Sequence, residues 1–192
     1  MTTSTITQGP NKDWLKTYYY LRFAVSAVWV ALAFTIGRSV PPVAAVMLVA
    51  YPAWDAIANY LDASRSGGLA KNKSQMLNFV VSIGTAVAVA STVGNGMHDV
   101  LKVFGFWASL SGLFQLATGV RRWKSYGAQW AMILSGAQSA LAGVFMLKQA
   151  AGAEPVSIAN IAPYAAFGAF YFLVSAVSLT VSDARHRSKA AA

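Results

Sequence analysis

Six apolar stretches of about twenty residues each, the length that spans a hydrocarbon layer of about 30 Å, alternate along the chain with short polar segments. Read as helices, they cover about residues 18–36, 41–61, 75–93, the stretch from an Asp99 cap to 119, 128–147 and 163–181. The punctuation between them fits. Pro41 and Pro42 open the second helix, where a missing amide hydrogen costs nothing. Gly67-Gly68 and Gly94-Asn95-Gly96 are breakers at turns. The expected fold is therefore all-α: a polytopic membrane protein with six transmembrane helices. It comprises a polar tail (1–17), a membrane domain (18–182) and a basic tail (183–192), with hairpins at about 18–61, 75–119 and 128–181.

Charge then fixes an orientation. Lys12, Lys16, Arg22, Arg65, Lys71, Lys73, Arg121, Arg122, Lys124, Arg185, Arg187 and Lys189 fall on one side of the predicted bundle. Arg38, Lys102 and Lys148 fall on the other, and this bias places both termini in the cytoplasm. Trp14 and Tyr18-Tyr19-Tyr20 enter the first helix as an interfacial aromatic cluster. Ala31-Leu32-Ala33 has the form of a signal-peptidase site, and cleavage there would leave five helices. Against cleavage, the basic region is long for a signal peptide, and the first helix matches the third and fifth.

That match is an internal repeat. Leu21-Arg22-Phe23-Ala24-Val25-Ser26, Leu77-Asn78-Phe79-Val80-Val81-Ser82 and Trp130-Ala131-Met132-Ile133-Leu134-Ser135 align with a serine at one depth. The even helices answer with Asp55, Ser111 and Ser175. Three copies of one hairpin, all entering from the same side, make the repeats parallel, an arrangement found in transporters and in other bundles. The sixfold pattern, the Gly- and Ser-rich run Ser135-Gly136-Ala137-Gln138-Ser139-Ala140-Leu141-Ala142-Gly143, the Val174-Ser175-Ala176-Val177-Ser178-Leu179 segment and the hairpin around Asp55 together resemble the HdeD-like family of small bacterial inner-membrane proteins. The likeness spans about residues 21–181; it departs at Ser64–Ser74 and in the weakly apolar third helix. It implies a bacterial inner-membrane location and an envelope or acid-stress role, and it carries over no catalytic residue.

Composition agrees with this picture: 56% of the 192 residues are hydrophobic and 11% charged, against about 25% charged in soluble domains. A net charge of +9 would suit nucleic acid, but its confinement to loops between apolar blocks points to membrane topology instead. There is no cysteine, and His98 and His186 have no second ligand nearby, so no metal site and no cofactor is expected. Paired carboxylates, His-Glu-x-x-His, Gly-x-Ser-x-Gly and Walker loops are missing, which argues against an enzyme.

Asp55 is the one carboxylate expected within a span, where insertion of a charge costs about 2.5 to 3.5 kcal/mol. It follows Pro52 by three residues and shares a helix face with Asn59. Arg22, toward the same end of the neighbouring antiparallel helix, is within reach of it, although snorkelling explains Arg22 equally well. The candidate polar site is Asp55 and Asn59 with the aligned serines Ser26, Ser82, Ser111, Ser135 and Ser175. Two readings of it stay open: a proton relay or cation site, or a set of satisfied packing contacts near the cytoplasmic interface. Asn78, Gln115 and Gln138 are expected to bond between helices. Ala131, Ser135, Ser139 and Gly143 form a small-residue stripe for close helix packing, and Ser82, Ala86 and Ala90 form another. Functionally, the chain is expected to be a small membrane protein acting through membrane organisation or a protein partner; the alternative is a proton- or cation-coupled channel or transporter using Asp55. Its partners are then the lipid bilayer and either a second copy or another membrane protein, and not nucleic acid.

Overall fold

The computed structural model describes residues 11–122 and 129–190, and every regular element in them is helical. The expectations for residues 1–10, for Trp123 and Lys124 and for the start of the fifth helix at Ala128 lie outside that range. So do the side chains of Arg121, Arg122, Ala131, His186 and Lys189. The elements are α1 (Asn11–Phe34), a single turn α2 (Ile36–Ser39), α3 (Pro41–Arg65), α4 (Lys73–Thr92), α5 (Met97–Arg122), α6 (Gln129–Ala151) and α7 (Ala162–Ala190). Five helical segments among the described residues are long and apolar enough to cross a membrane: Asp13–Ser39, which runs through α1 and α2, Pro41–Arg65, Lys73–Asn95, which runs from α4 into the turn after it, Met97–Val120 and Ala162–Arg185. The remaining long helix, α6, has 23 residues and one charged side chain, Lys148. A helix of that length rises about 34 Å.

The predicted turns are present, and sequence chemistry explains them. Val40 is extended (φ −125°, ψ 93°), as the residue before a proline tends to be, and Pro41 and Pro42 start α3. A 3-10 turn at Val93–Asn95 ends at Gly96, whose φ of +118° few other residues adopt. Helix ends differ from expectation. Residues 11–17, read as part of a polar tail, form the first turns of α1, with Asp13 complementing the helix dipole. Most of the basic tail continues α7 to Ala190, because Ala, Arg and Lys are good helix formers and the backbone bonds remain available beyond the apolar span. Asp99 lies inside the first turn of α5 and pairs with Lys102 at 2.9 Å instead of capping the helix.

The intimate helix pairs are α3/α4, α5/α6 and α1/α7, whereas the hairpins expected from sequence order (α1 with α3, α4 with α5, α6 with α7) touch more lightly. Glycine explains the tightest pair. Gly105, Gly112 and Gly119 recur every seven residues on α5; the first two face Gly143 and Gly136, seven apart on α6, and Gly119 faces Ile133. A Cβ on Gly136 would lie 2.6 Å from the Leu116 amide nitrogen, and one on Gly143 2.5 Å from the Gly105 carbonyl oxygen. A seven-residue repeat matches the gentle left-handed crossing of helices, so the contact persists along their length. Without a hydrophobic drive between helices in lipid, such close backbone approach supplies the attraction.

The four-residue stripe expected on α6 shares Gly143 with the surface the structure places against α5. The surface pressed on α5 is Gly136, Ala140 and Gly143. Ser139 donates to the Ala108 carbonyl at 3.0 Å, while Ser135 is half-buried. On α4, Ser82 and Ala86 are buried but Ala90 is exposed, lining an open apolar groove with Ala45, Val46, Val49, Ala50 and Val93.

Seam glycines should therefore resist the addition of one methyl group. Gly136→Ala and Gly143→Ala are each expected to cost about 1 to 3 kcal/mol by overpacking. Gly84→Ala, with open space at its Cβ, should cost nothing measurable. Thermal unfolding in detergent, followed by circular dichroism, checks this; equal effects at all three positions would contradict the seam.

Candidate functional site

Asp55 sits on α3 ten residues before that helix ends at Arg65, about 15 Å along the axis, deeper than a helix ending near Leu61 implied. Its carboxylate is engaged on both oxygens. Oδ1 accepts from Arg22 Nη2 of α1 in an ion pair. Oδ2 accepts from Asn59 Nδ2 at 3.0 Å and from Ser82 Oγ of α4 at 2.7 Å. Asn59 Nδ2 also reaches the Asp55 carbonyl at 2.8 Å, which clamps the side chain to its own helix. The i, i+4 spacing that sequence placed on one face is what makes this possible.

Arg22 is held from several sides. Nη1 donates to Tyr18 OH at 3.0 Å, and the guanidinium lies over the Phe172 ring of α7 at 4.2 Å. The side chains of Arg22 and Asp55 are 14% and 18% exposed, so the charges face each other and not the surroundings. Snorkelling is thereby excluded as the arrangement of Arg22: its charge is spent on Asp55, within the bundle.

A polar and aromatic chain extends from this pair into the core. Ser82 Oγ, besides donating to Asp55, accepts from Trp107 Nε1 at 3.2 Å, bringing α5 into the network. Trp107 meets Tyr51 edge-on at 6.1 Å between centroids, and Tyr164 of α7 at 5.8 Å. Ser26 reaches Tyr51 OH at 3.5 Å, and Trp29 Nε1 donates to the Met47 carbonyl at 2.9 Å. That carbonyl is one residue before Leu48, whose own acceptor loses its helical partner to Pro52.

The candidate residues thus divide. Asp55, Asn59 and Ser82 converge in one cluster, and Ser26 lies beside it against Tyr51. Ser111, Ser135 and Ser175 are half-buried and, among the described residues, make no hydrogen bond to this cluster. Gln138 meets Tyr171 of α7, an interhelical bond of the expected sort. Sequence reading placed Tyr18 in an interfacial aromatic cluster and gave no part in the site to Tyr51, Trp107 or Phe172. Tyr18 meets Arg22 locally, one turn away on α1, a spacing legible in the sequence, whereas only tertiary packing brings Phe172 to Arg22, Trp107 to Ser82 and Tyr51 to Trp107. Among the described residues no group of His, Asp and Glu has the geometry of a metal site.

Residues 80–148 match the family described as a short repeat of unknown function (DUF308), a stretch running from α4 through α5 to α6 and including the glycine seam. No curated protein and no solved structure matches the chain.

Removing one partner of the ion pair leaves a buried charge uncompensated, at a cost of about 3 to 5 kcal/mol. Asp55→Leu and Arg22→Leu should each destabilise strongly, and the double variant should recover much of the loss. A double-mutant cycle on detergent unfolding measures it; additive losses would show that the two side chains are energetically independent.

Proposed function

We propose that this is a multi-pass protein of the bacterial plasma membrane with both termini cytoplasmic, acting as a non-transporting membrane scaffold through its lipid or protein contacts. The observation that carries the reading is the closure of Asp55: both oxygens are engaged by side chains of α1, α3 and α4. A proton relay needs a carboxylate that exchanges with water, and a cation site needs free oxygens. This carboxylate already accepts three of the roughly four hydrogen bonds it can take, from Arg22, Asn59 and Ser82.

The orientation rests on the bias of basic residues to one end. The match over residues 80–148 supports a repeat architecture, and we take the repeating unit to be the intimate pair: α3/α4, α5/α6 and α7/α1, the last closing the ring. In that scheme Asp55 and Ser82 occupy the positions of Ser111 and Ser135, and of Ser175 and Ser26. One of three equivalent polar positions, that of α3/α4, has gained a carboxylate, balanced by a guanidinium from α1 of the neighbouring pair. The HdeD-like resemblance extends the proposal to a role in the cell envelope under stress, performed by contact and not by turnover.

Proton and solute flux into liposomes holding the native chain or Asp55→Asn, at neutral and acidic pH, tests the reading. Neither protein is expected to raise flux above that of empty vesicles. Flux that the native chain carries and the folded variant lacks would replace the scaffold reading with coupled transport.

A further inference from the structure

Basic residues collect at one end of the bundle, and the structure shows which are already committed. Lys16 Nζ lies 3.2 Å from both Asp13 and Asp183, joining α1 to the end of α7. Asp62 accepts from Gln75 at 3.1 Å. Those three carboxylates are the only acids at this end of the described chain outside the Asp55 pair. Among the described residues, Arg65, Lys71, Lys73, Arg185 and Arg187 have no acidic partner, and all five are exposed.

These cations lie as a rim about the start of α1, which contacts both α3 and α7. The Arg65 guanidinium stacks on the Trp14 ring at 4.2 Å, fixing the end of α3 against the start of α1. The Lys16–Asp183 pair fixes the start of α1 against α7, whose next helical turn carries Arg185 and Arg187. Lys71 and Lys73 stand just past the turn from Arg65, at the head of α4. The turn is built to hold them there. Gly67 and Gly68 adopt φ of +95° and +90°, and Asn72 Nδ2 ties it back to the Ser66 and Gly68 carbonyls at 2.9 and 2.8 Å.

The rim also lies at headgroup depth. Trp14, Tyr18, Tyr19 and Tyr20 mark the interface on α1. The 29 residues of α7 rise about 43 Å, more than the hydrocarbon layer of about 30 Å, so its basic end extends into the phosphate zone. Exposed cations at that depth are recognised by anionic lipid phosphates.

We propose that this rim is a binding surface for anionic phospholipids, whose headgroup phosphates seat between the α3–α4 turn and the overhanging end of α7. The surface does not depend on which compartment it faces, nor on the scaffold reading. It stands on charge, exposure and depth.

The test uses the full chain in bilayer nanodiscs of phosphatidylcholine with spin-labelled phosphatidylglycerol or spin-labelled phosphatidylcholine, comparing the motionally restricted fraction by electron paramagnetic resonance. The native chain is expected to prefer the anionic label by about fivefold, the scale of one basic residue at a charged surface, with the preference lost in high salt. K71Q/K73Q/R185Q/R187Q should lose the preference, while K102Q/K148Q, at the opposite end, should keep it. Native-like helicity of each variant by circular dichroism is the entry condition; if the fourfold variant fails it, K71Q/K73Q and R185Q/R187Q are compared separately, each expected to lower the preference. An equal restricted fraction for both labels in the native chain would overturn the proposal. So would a preference untouched by the rim substitutions or abolished by K102Q/K148Q.

Discussion

A guanidinium and a carboxylate that neither α1 nor α3 could comfortably hold in hydrocarbon become tolerable only when they meet. The Arg22–Asp55 pair is therefore a condition on how the bundle assembles, not an ornament on a finished one. Its geometry draws in the rest: Asn59 and Ser82 complete the carboxylate, Tyr18 and Phe172 receive the guanidinium, and Trp107 completes Ser82. Five of the six long helices thereby contribute to a single polar network. A pair of this kind gives specificity of register more readily than net stability, because a hydrophobic pair of similar volume could pack as well.

Two kinds of seam hold the molecule. Within α5/α6 the backbones approach through glycines, a contact with no side chain to rearrange. Between α1 and α3 the contact is a ladder of long side chains: Trp14 with Arg65, Arg22 with Asp55, Ser26 with Tyr51, and Trp29 with the Met47 carbonyl. The first kind relies on shape and dispersion, the second on directional bonds in a medium that offers them no competing water. Together they make three close pairs joined by polar and aromatic contacts, with the chain ends brought together in the α1/α7 pair.

The candidate site was legible in part. Asp55 stands out in any hydropathy reading, Asn59 follows from the i, i+4 rule, and Arg22 follows from antiparallel neighbours sharing one end. Ser82 was reached through the repeat alignment, but so were Ser111, Ser135 and Ser175, which lie away from the cluster. An alignment gives equivalent depth in equivalent hairpins; it says nothing of which equivalents meet. The glycine seam was legible as well, in the seven-residue spacing of Gly105, Gly112 and Gly119, yet the four-residue stripe through Ser135 and Ser139 drew attention first.

By itself the sequence determined the solvent, the number of long helices, their turns and the end that collects positive charge. These are properties of each segment's own composition: twenty apolar residues seek lipid whatever their neighbours do, and prolines and glycines break helices locally. Only the tertiary structure decided which helices pair closely and which polar atoms meet. In lipid every helix face is about equally apolar, so the hydrophobic pattern that identifies neighbours in a soluble bundle is nearly silent here. The choice falls to backbone fit at a few glycines and to the one arrangement in which Asp55 and Arg22 are both satisfied.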